Sequence, residues 1–357
     1  MQKKYIATIN GLRFYLFLLI LATHYKYIIQ ISDKGKALYP YLNQAGIFAV
    51  LFFFILSGFC IALGYSEKFQ TVNKNVVFEF IKKRMCKIYP LYIITGLIML
   101  LLYYLPHNFN WLYAFIFLYI PMIAPFTPFP DGGGNGAGWF VSALCFCYLL
   151  TPFIVNKFEK FCNIYSYISI YLIAIIIAII PVLCTPIELY SSYMYRFPLI
   201  RIFHFGVGIV LGIMYVKNTY NLQERFISLK HNLGDIVTLI LLLFSILNCK
   251  NGDTSNIIFG IPIISFIIIY LCNINNGIIY KVLTHRINQY LGNLSFECYL
   301  IHYPIFILLQ EYIKPYVSTW FGIIFFYFIL LFLTLILSII YKNIVKYFSN
   351  EIKGRNV

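Results

Sequence analysis

Charge is what this chain has least of. Only 11% of its 357 residues are Asp, Glu, Lys or Arg, while 61% are hydrophobic. Soluble domains are nearer half apolar and roughly a quarter charged. So few charges cannot cover a soluble surface of this size, which excludes an ordinary cytosolic enzyme and a disordered chain. Acidic side chains are scarcer still, 12 against 27 Lys and Arg, giving +15. Cysteine supplies no framework either. Several of the nine, Cys60, Cys145, Cys147, Cys184 and Cys298 among them, lie inside apolar runs. The one close pair, Cys145 and Cys147, has neither metal-ligand nor redox spacing, so a disulfide-rich secreted fold and a metal site are not expected. The first apolar run carries Arg13 and His24 and lacks a small-residue cleavage site. It is therefore expected to be a permanent span rather than a signal peptide. No internal repeat and no appended soluble domain are expected.

Long apolar runs are what the chain does have. A helical span needs about 20 residues. Candidates fall near 8–28, 42–64, 88–105, 139–156, 163–184, 199–216, 233–248, 256–273, 290–313 and 318–341. The fold class is thus an all-α polytopic membrane protein with about ten transmembrane helices. A further run, 111–123, is too short to span comfortably and is bounded by Pro106, Pro121 and Pro125. Prolines remove backbone donors, so a re-entrant or interfacial helix fits better, shielded by protein. With both termini cytoplasmic, inside segments hold 19 basic residues and outside segments 7. If 111–123 crossed, the later groups would change sides and the balance would reverse to 12 inside against 14 outside. The positive-inside bias selects the first topology. It also accounts for the net charge through the lipid bilayer, with no nucleic acid needed. Residues 1–345 are expected to form one integral-membrane domain, with 346–357 as a cytoplasmic tail, in the inner or plasma membrane of a cell.

Ionisable groups inside spans are costly and usually functional. Arg13 and His24 are eleven residues apart. On a helix that is three turns plus about 20°, so they share one face and lie about 16 Å apart along the axis. They cannot grip one atom, but they can contact the two ends of a long ligand. Arg13 suits a phosphate or an acidic partner, and His24 can exchange a proton near neutral pH. The alternative is structural: Arg13 snorkels and pairs, and His24 bonds to a neighbouring helix. The loop Lys82–Lys87, with Lys83, Arg84 and Lys87, offers a polyphosphate site or merely a headgroup contact. In Asn293–Pro304, Ser295 and His302 share a face, whereas Glu297 lies about 140° from His302. Ser57 and Gly58 permit close helix approach. The Gly-rich stretch from Asp131 to Gly138, followed by Trp139, is too flexible for a helix. It can lie against a sugar or act as a hinge, and it lacks the Lys-Ser/Thr and strand–helix context of a phosphate loop.

Taken in order, these stretches resemble the membrane-bound acyltransferase 3 family, integral-membrane enzymes that acylate sugars and cell-surface polysaccharides. The resemblance runs from Asn10-Gly11-Leu12-Arg13 and His24 through Phe52–Phe59 and then Arg84…Lys87-Ile88-Tyr89-Pro90. Trp139-Phe140 with Tyr148 and Pro152 looks like a further block, and Leu291–Pro304 like the last. It covers nearly the whole chain. The family often has arginine where Lys87 stands, and Lys lacks the bidentate fork. The resemblance implies an acyl-CoA donor, usually acetyl-CoA, arriving from the cytoplasm, with no tightly bound cofactor. It implies a glycan or lipid-linked sugar hydroxyl as acceptor. Arg13 with Lys83, Arg84 and Lys87 would hold the donor. His24, with Arg13 and His302, would be catalytic, and Ser57, Asp131 and Trp139 would contact substrate. In that chemistry His24 takes the hydroxyl proton as the oxygen attacks the thioester. A direct route and one through an acylated residue both remain open. Rival readings are a polytopic exporter of a glycan-related solute, an assembly scaffold, and transfer of succinyl or a longer acyl group. Oligomeric state is not legible.

Overall fold

The computed structural model describes residues 6–161, 163–184, 194–218, 231–247 and 252–354, whose regular structure is all helical with no strand among them. The helices are α1 (Ala7–Ile29), α2 (Asp33–Tyr65), α3 (Lys74–Met99), α4 (Gly138–Phe161) and α5 (Ile164–Cys184). Then follow α6 (Pro198–Val216), α7 (His231–Leu247), α8 (Gly252–Asn273), α9 (Ile278–Thr284), α10 (Arg286–Ile313) and α11 (Trp320–Gly354). Each of the ten apolar runs falls on a helix to within a few residues. Six helices among the described residues are long and apolar enough to cross a membrane, or seven if the pair Ile258–Asn273 and Ile278–Thr284, bent by 79°, is one broken span. The protein is an all-α polytopic membrane protein. The described parts of two further expected runs are the apolar stretches Ile164–Ile177 and Leu233–Leu247. The run on α10 is broken up by polar side chains that the bundle buries, Ser295 and His302 among them.

Helix boundaries follow local chemistry. Ser32 caps α2, its hydroxyl accepting from the Gly35 amide at 3.1 Å. That cap starts the helix nine residues before its apolar run. Asn73 caps α3 in the same way, accepting from the Val76 amide at 2.9 Å. One expectation is corrected here. The basic stretch Lys82–Lys87 is not a loop but three turns into α3. Lys and Arg are good helix formers, and the cap ahead of them extends the helix outward from the apolar run.

The run 111–123 holds no helix long enough to cross. It forms a single turn, Trp111–Ala114, continued by a π-helical turn, Phe115–Tyr119, after another π-turn at Leu100–Tyr104. Nine helical residues reach only about 14 Å, against a hydrocarbon core of about 30 Å. The segment is tied back onto α3 by a reciprocal tyrosine pair. The Tyr92 hydroxyl donates to the Tyr119 carbonyl and the Tyr119 hydroxyl to the Tyr92 carbonyl, both at 3.0 Å. Their rings stack with centroids 4.2 Å apart.

The centre of the bundle is α1 and α2, which pack on each other, α1 also on α10 and α2 most intimately on α6. Glycines set these approaches. A Cβ on Gly11 would sit 2.1 Å from the Leu283 carbonyl oxygen, and one on Gly292 would sit 2.1 Å from that of Asn10. Asn10 also donates to the Gln289 carbonyl at 3.0 Å. The two sequence blocks around Arg13 and around Ser295 thus meet face to face, which fixes where both side chains lie.

The bend between α8 and α9 is locked from α7. Asp235, 6% exposed, accepts from the Tyr270 hydroxyl at 2.8 Å and from the amides of Ile278 and Ile279 at 2.8 and 3.2 Å. Its carboxylate caps the first turn of α9, and Gly277 reaches it with φ of 99°. Asp235→Ala removes one acceptor from three donors. It is expected to destabilise the protein by about 2–4 kcal/mol, read as a lower unfolding temperature in detergent with membrane insertion retained.

Candidate functional site

Arg13 opens into a pocket of about 160 Å³ whose wall includes Ser57, Arg84, Lys87, Tyr148 and Ser295. Helices α1, α2, α3, α4 and α10 all contribute to it, so residues far apart in sequence converge here. Arg84 and Lys87 stand one turn apart on α3 and face the pocket together. Lys83 is exposed and does not line it, as expected for a residue turned about 100° from Arg84. The Arg84 guanidinium lies over the rings of Tyr65, Phe80 and Tyr148, 5.6, 5.4 and 5.4 Å from their centroids. That stacking holds it in place, while its buried Nε has no hydrogen-bond partner. Arg13 makes only a weak contact to the Cys60 sulfur, at 3.5 Å. Ser57 comes from α2 beside Gly58, where α2 touches α6. Three cationic groups therefore face one small space together with the serines Ser57 and Ser295, an arrangement suited to a polyanion.

His24 lines a second cavity, of about 320 Å³, with Thr23, Lys26, Asn43, Trp139 and Arg196. Helix α10 runs parallel to α1 and brings His302 beside it, with imidazole centroids 5.1 Å apart. Tyr303 and Phe306 surround the His24 ring at 5.2 and 6.1 Å. His302 is 1% exposed, and among the described residues neither of its ring nitrogens finds a hydrogen-bond partner. The carbonyls of Cys298 and Tyr299 lie nearby but outside hydrogen-bonding geometry. An imidazole buried without a partner is costly. The Arg13 and Ser295 level and the His24 and His302 level are thus successive along the same two helices. The residues that share a helical face occupy different cavities.

Asp131 does not line the second cavity but pairs with Arg196, which does, at 2.7 Å. The Gly-rich stretch is not an open hinge. Gly132 and Gly133 take φ of 55° and 73°, and Tyr119 and Trp111 close in where side chains would stand. Asn135, fully buried, donates to the Leu300 carbonyl at 2.7 Å and accepts from the Ala137 amide at 2.9 Å. Trp139 follows directly and turns its ring into the His24 cavity.

Sequence reasoning missed Arg201 and His204, which lie one turn apart on α6 and are 4% and 0% exposed. Arg201 lies 4.3 Å over the Tyr195 ring and 5.9 Å over that of Trp139. Its Nε donates to the Tyr195 carbonyl at 2.7 Å, and Nη1 lies 3.3 Å from His204 Nδ1. It thereby sets the position of Trp139 and of the segment that carries Arg196. The available signal was two ionisable residues three apart at the start of an apolar run. Among the described residues, no group of three or more His, Cys, Asp or Glu is placed to hold a metal ion.

A polytopic helical bundle with a cationic pocket and a separate chamber lined by His24, with the buried His302 behind it, is a membrane-embedded enzyme's architecture. The acyltransferase-domain model of the acyltransferase 3 family matches residues 6–342. The chain belongs to that family, and it is a membrane acyltransferase. Searches of the curated proteins and of the solved structures return no match.

Proposed function

We propose that the protein transfers an acetyl group from acetyl-CoA to a hydroxyl of a cell-surface or lipid-linked glycan. The observation that carries this reading is the division of labour along α1. It sends Arg13 into a pocket with Arg84 and Lys87, and His24 into a polar cavity beside His302. Arg13, Arg84 and Lys87 hold the phosphates of the donor, with Ser57 on the same wall and Lys83 contributing charge at the entrance. The acceptor sugar enters the His24 cavity past Asp131 and Arg196 and rests against Trp139. His24 removes the hydroxyl proton as the oxygen attacks the thioester carbonyl, and His302 supplies a second imidazole within reach of the same proton. The chain makes about ten crossings as one domain over 1–345, with the segment 111–123 re-entrant and both termini cytoplasmic. The donor pocket then faces the cytoplasm. The basic residues Lys3, Lys4, Arg225, Lys230, Lys250 and Arg355, which enter that charge balance, lie outside the described residues.

Membranes containing the protein, supplied with labelled acetyl-CoA, are expected to pass label to glycan. Surface glycans from cells with the protein should carry an acetyl-sized mass increase that is missing without it. Label from succinyl-CoA but not acetyl-CoA would identify the narrower alternative. Label in neither would reject the reading. Arg13→Ala is expected to raise the apparent KM for the donor by roughly 10–100-fold, the loss of a charge-assisted contact, with a smaller change in kcat. An unchanged KM would take Arg13 out of donor binding.

A further inference from the structure

The two cavities have one wall residue in common. Arg13, Arg84 and Lys87 line one, Thr23, His24 and Arg196 line the other, and Tyr299 lines both. The neighbouring side chains on α4 divide in the same way, Trp139 facing the His24 cavity and Phe140 the Arg13 pocket. The residue shared by the two walls is a single tyrosine. Tyr299 is held closed from two directions. Its hydroxyl donates to the Ala137 carbonyl at 2.9 Å, and its ring meets that of Phe140 at 5.2 Å. Ala137 is itself fixed, because Asn135 binds both the Ala137 amide and the carbonyl of Leu300, the residue next to Tyr299. His302 lies 5.7 Å from the Tyr299 ring and leads to His24.

We propose that Tyr299 is the movable partition between the donor and acceptor cavities, latched on Ala137, and that the acyl thioester reaches His24 only when its ring swings aside. This deepens the acyl-transfer reading and rests on it for the identity of the passing group. The geometry supplies the reason. A donor whose phosphates stay at Arg13 must present its carbonyl at His24, about 16 Å further along α1. Rotating one side chain costs one neutral hydrogen bond and a ring contact, whereas parting α1 from α10 would disrupt a packed interface. Closed, the partition keeps water of the acceptor cavity off the thioester. With no acceptor present, an open partition lets that water attack: the C–O bond forms, the C–S bond breaks, and the proton passes through His24 to the departing thiolate. Free acid and CoA thiol result.

Two measurements on the full-length protein test this. In proteoliposomes with acetyl-CoA, Tyr299→Phe keeps the ring and loses the latch. Its ratio of acceptor-independent CoA release to acyl transfer is expected to rise roughly tenfold, the change in open population that one lost hydrogen bond produces. Phe140→Leu removes the other support and should move the ratio the same way. The second measurement needs no catalysis. Thr23→Cys places a thiol in the His24 cavity, and a membrane-impermeant maleimide is added on the Arg13 side. Labelling at position 23, read by peptide mass spectrometry, is expected to be slow with Tyr299 present and several-fold faster with Tyr299→Phe. Wild-type ratios and wild-type labelling in both variants, at wild-type thermal stability, would overturn the partition. Faster labelling in a protein that transfers no acyl group would keep the partition and reject the acyl-transfer reading instead.

Discussion

His24→Ala is expected to lower acyl transfer by about 10²–10⁴-fold, the range a general base contributes, with the protein inserted and abundant as before. The side chain borders a cavity rather than filling a core position, and its ring contacts are to His302, Tyr303 and Phe306. Removing it enlarges an existing space instead of opening a new one, so stability should change little. The measurement is acetylation of surface glycan in cells carrying each form, normalised to protein in the membrane. Equal acetylation would remove His24 from the mechanism and turn attention to His302. His302→Ala differs in kind, since that ring is buried and its loss leaves a hole between α1 and α10. A fall in abundance alongside activity is the signature expected there.

The second large effect is on folding. A Cβ on Gly58 would lie 2.0 Å from the Phe205 carbonyl oxygen, and one on Gly208 would lie 1.9 Å from that of Ile55. The opposing atoms belong to helix backbones, which cannot yield as a flexible side chain can. Gly58→Val must therefore push α2 and α6 apart along the contact that Gly58 and Gly208 make possible. The cost exceeds the roughly 1–3 kcal/mol of ordinary overpacking. Little protein should survive extraction as a monodisperse species, with Gly58→Ala intermediate. Normal yield and stability for Gly58→Val would mean that the two helices do not pack this closely. Ser57 would be displaced by the same shift, so any residual protein should bind donor weakly.

Much of this was legible because the bilayer makes polar residues conspicuous. Arg13 and His24 stand out in an apolar run, and their spacing puts them on one face. The small residues at Ser57 and Gly58 announce a close crossing, and the structure puts one there. What the helical wheel cannot give is what stands between two residues on the same face. Tyr299 is one of 32 tyrosines and carries no local mark. Its position is defined only once the fold brings Ala137 and Phe140 to it. Arg201 was hidden for the opposite reason. Lying at the edge of a run, it reads as a loop charge, and only the aromatic rings of Tyr195 and Trp139 bury it. The Gly-rich stretch misled in part because glycine content signals freedom, whereas here it admits Tyr119 and Tyr303 against the backbone. The expected span on α10 is polar for a related reason, since its polar side chains turn inward and the bundle shields them.

The two π-turns on either side of residue 107 bear on how this segment can vary. A π-turn holds a residue more than an α-helix needs for the same advance. Deleting any position from 100–104 would return the chain to a regular ladder and rotate everything beyond it by about 100°. Tyr119 would then leave its partner Tyr92, and the Gly-rich turn that rests on Tyr119 would lose its floor. Along this stretch the number of residues is therefore fixed more tightly than their identity. Related chains are expected to exchange one apolar side chain for another there while keeping the count.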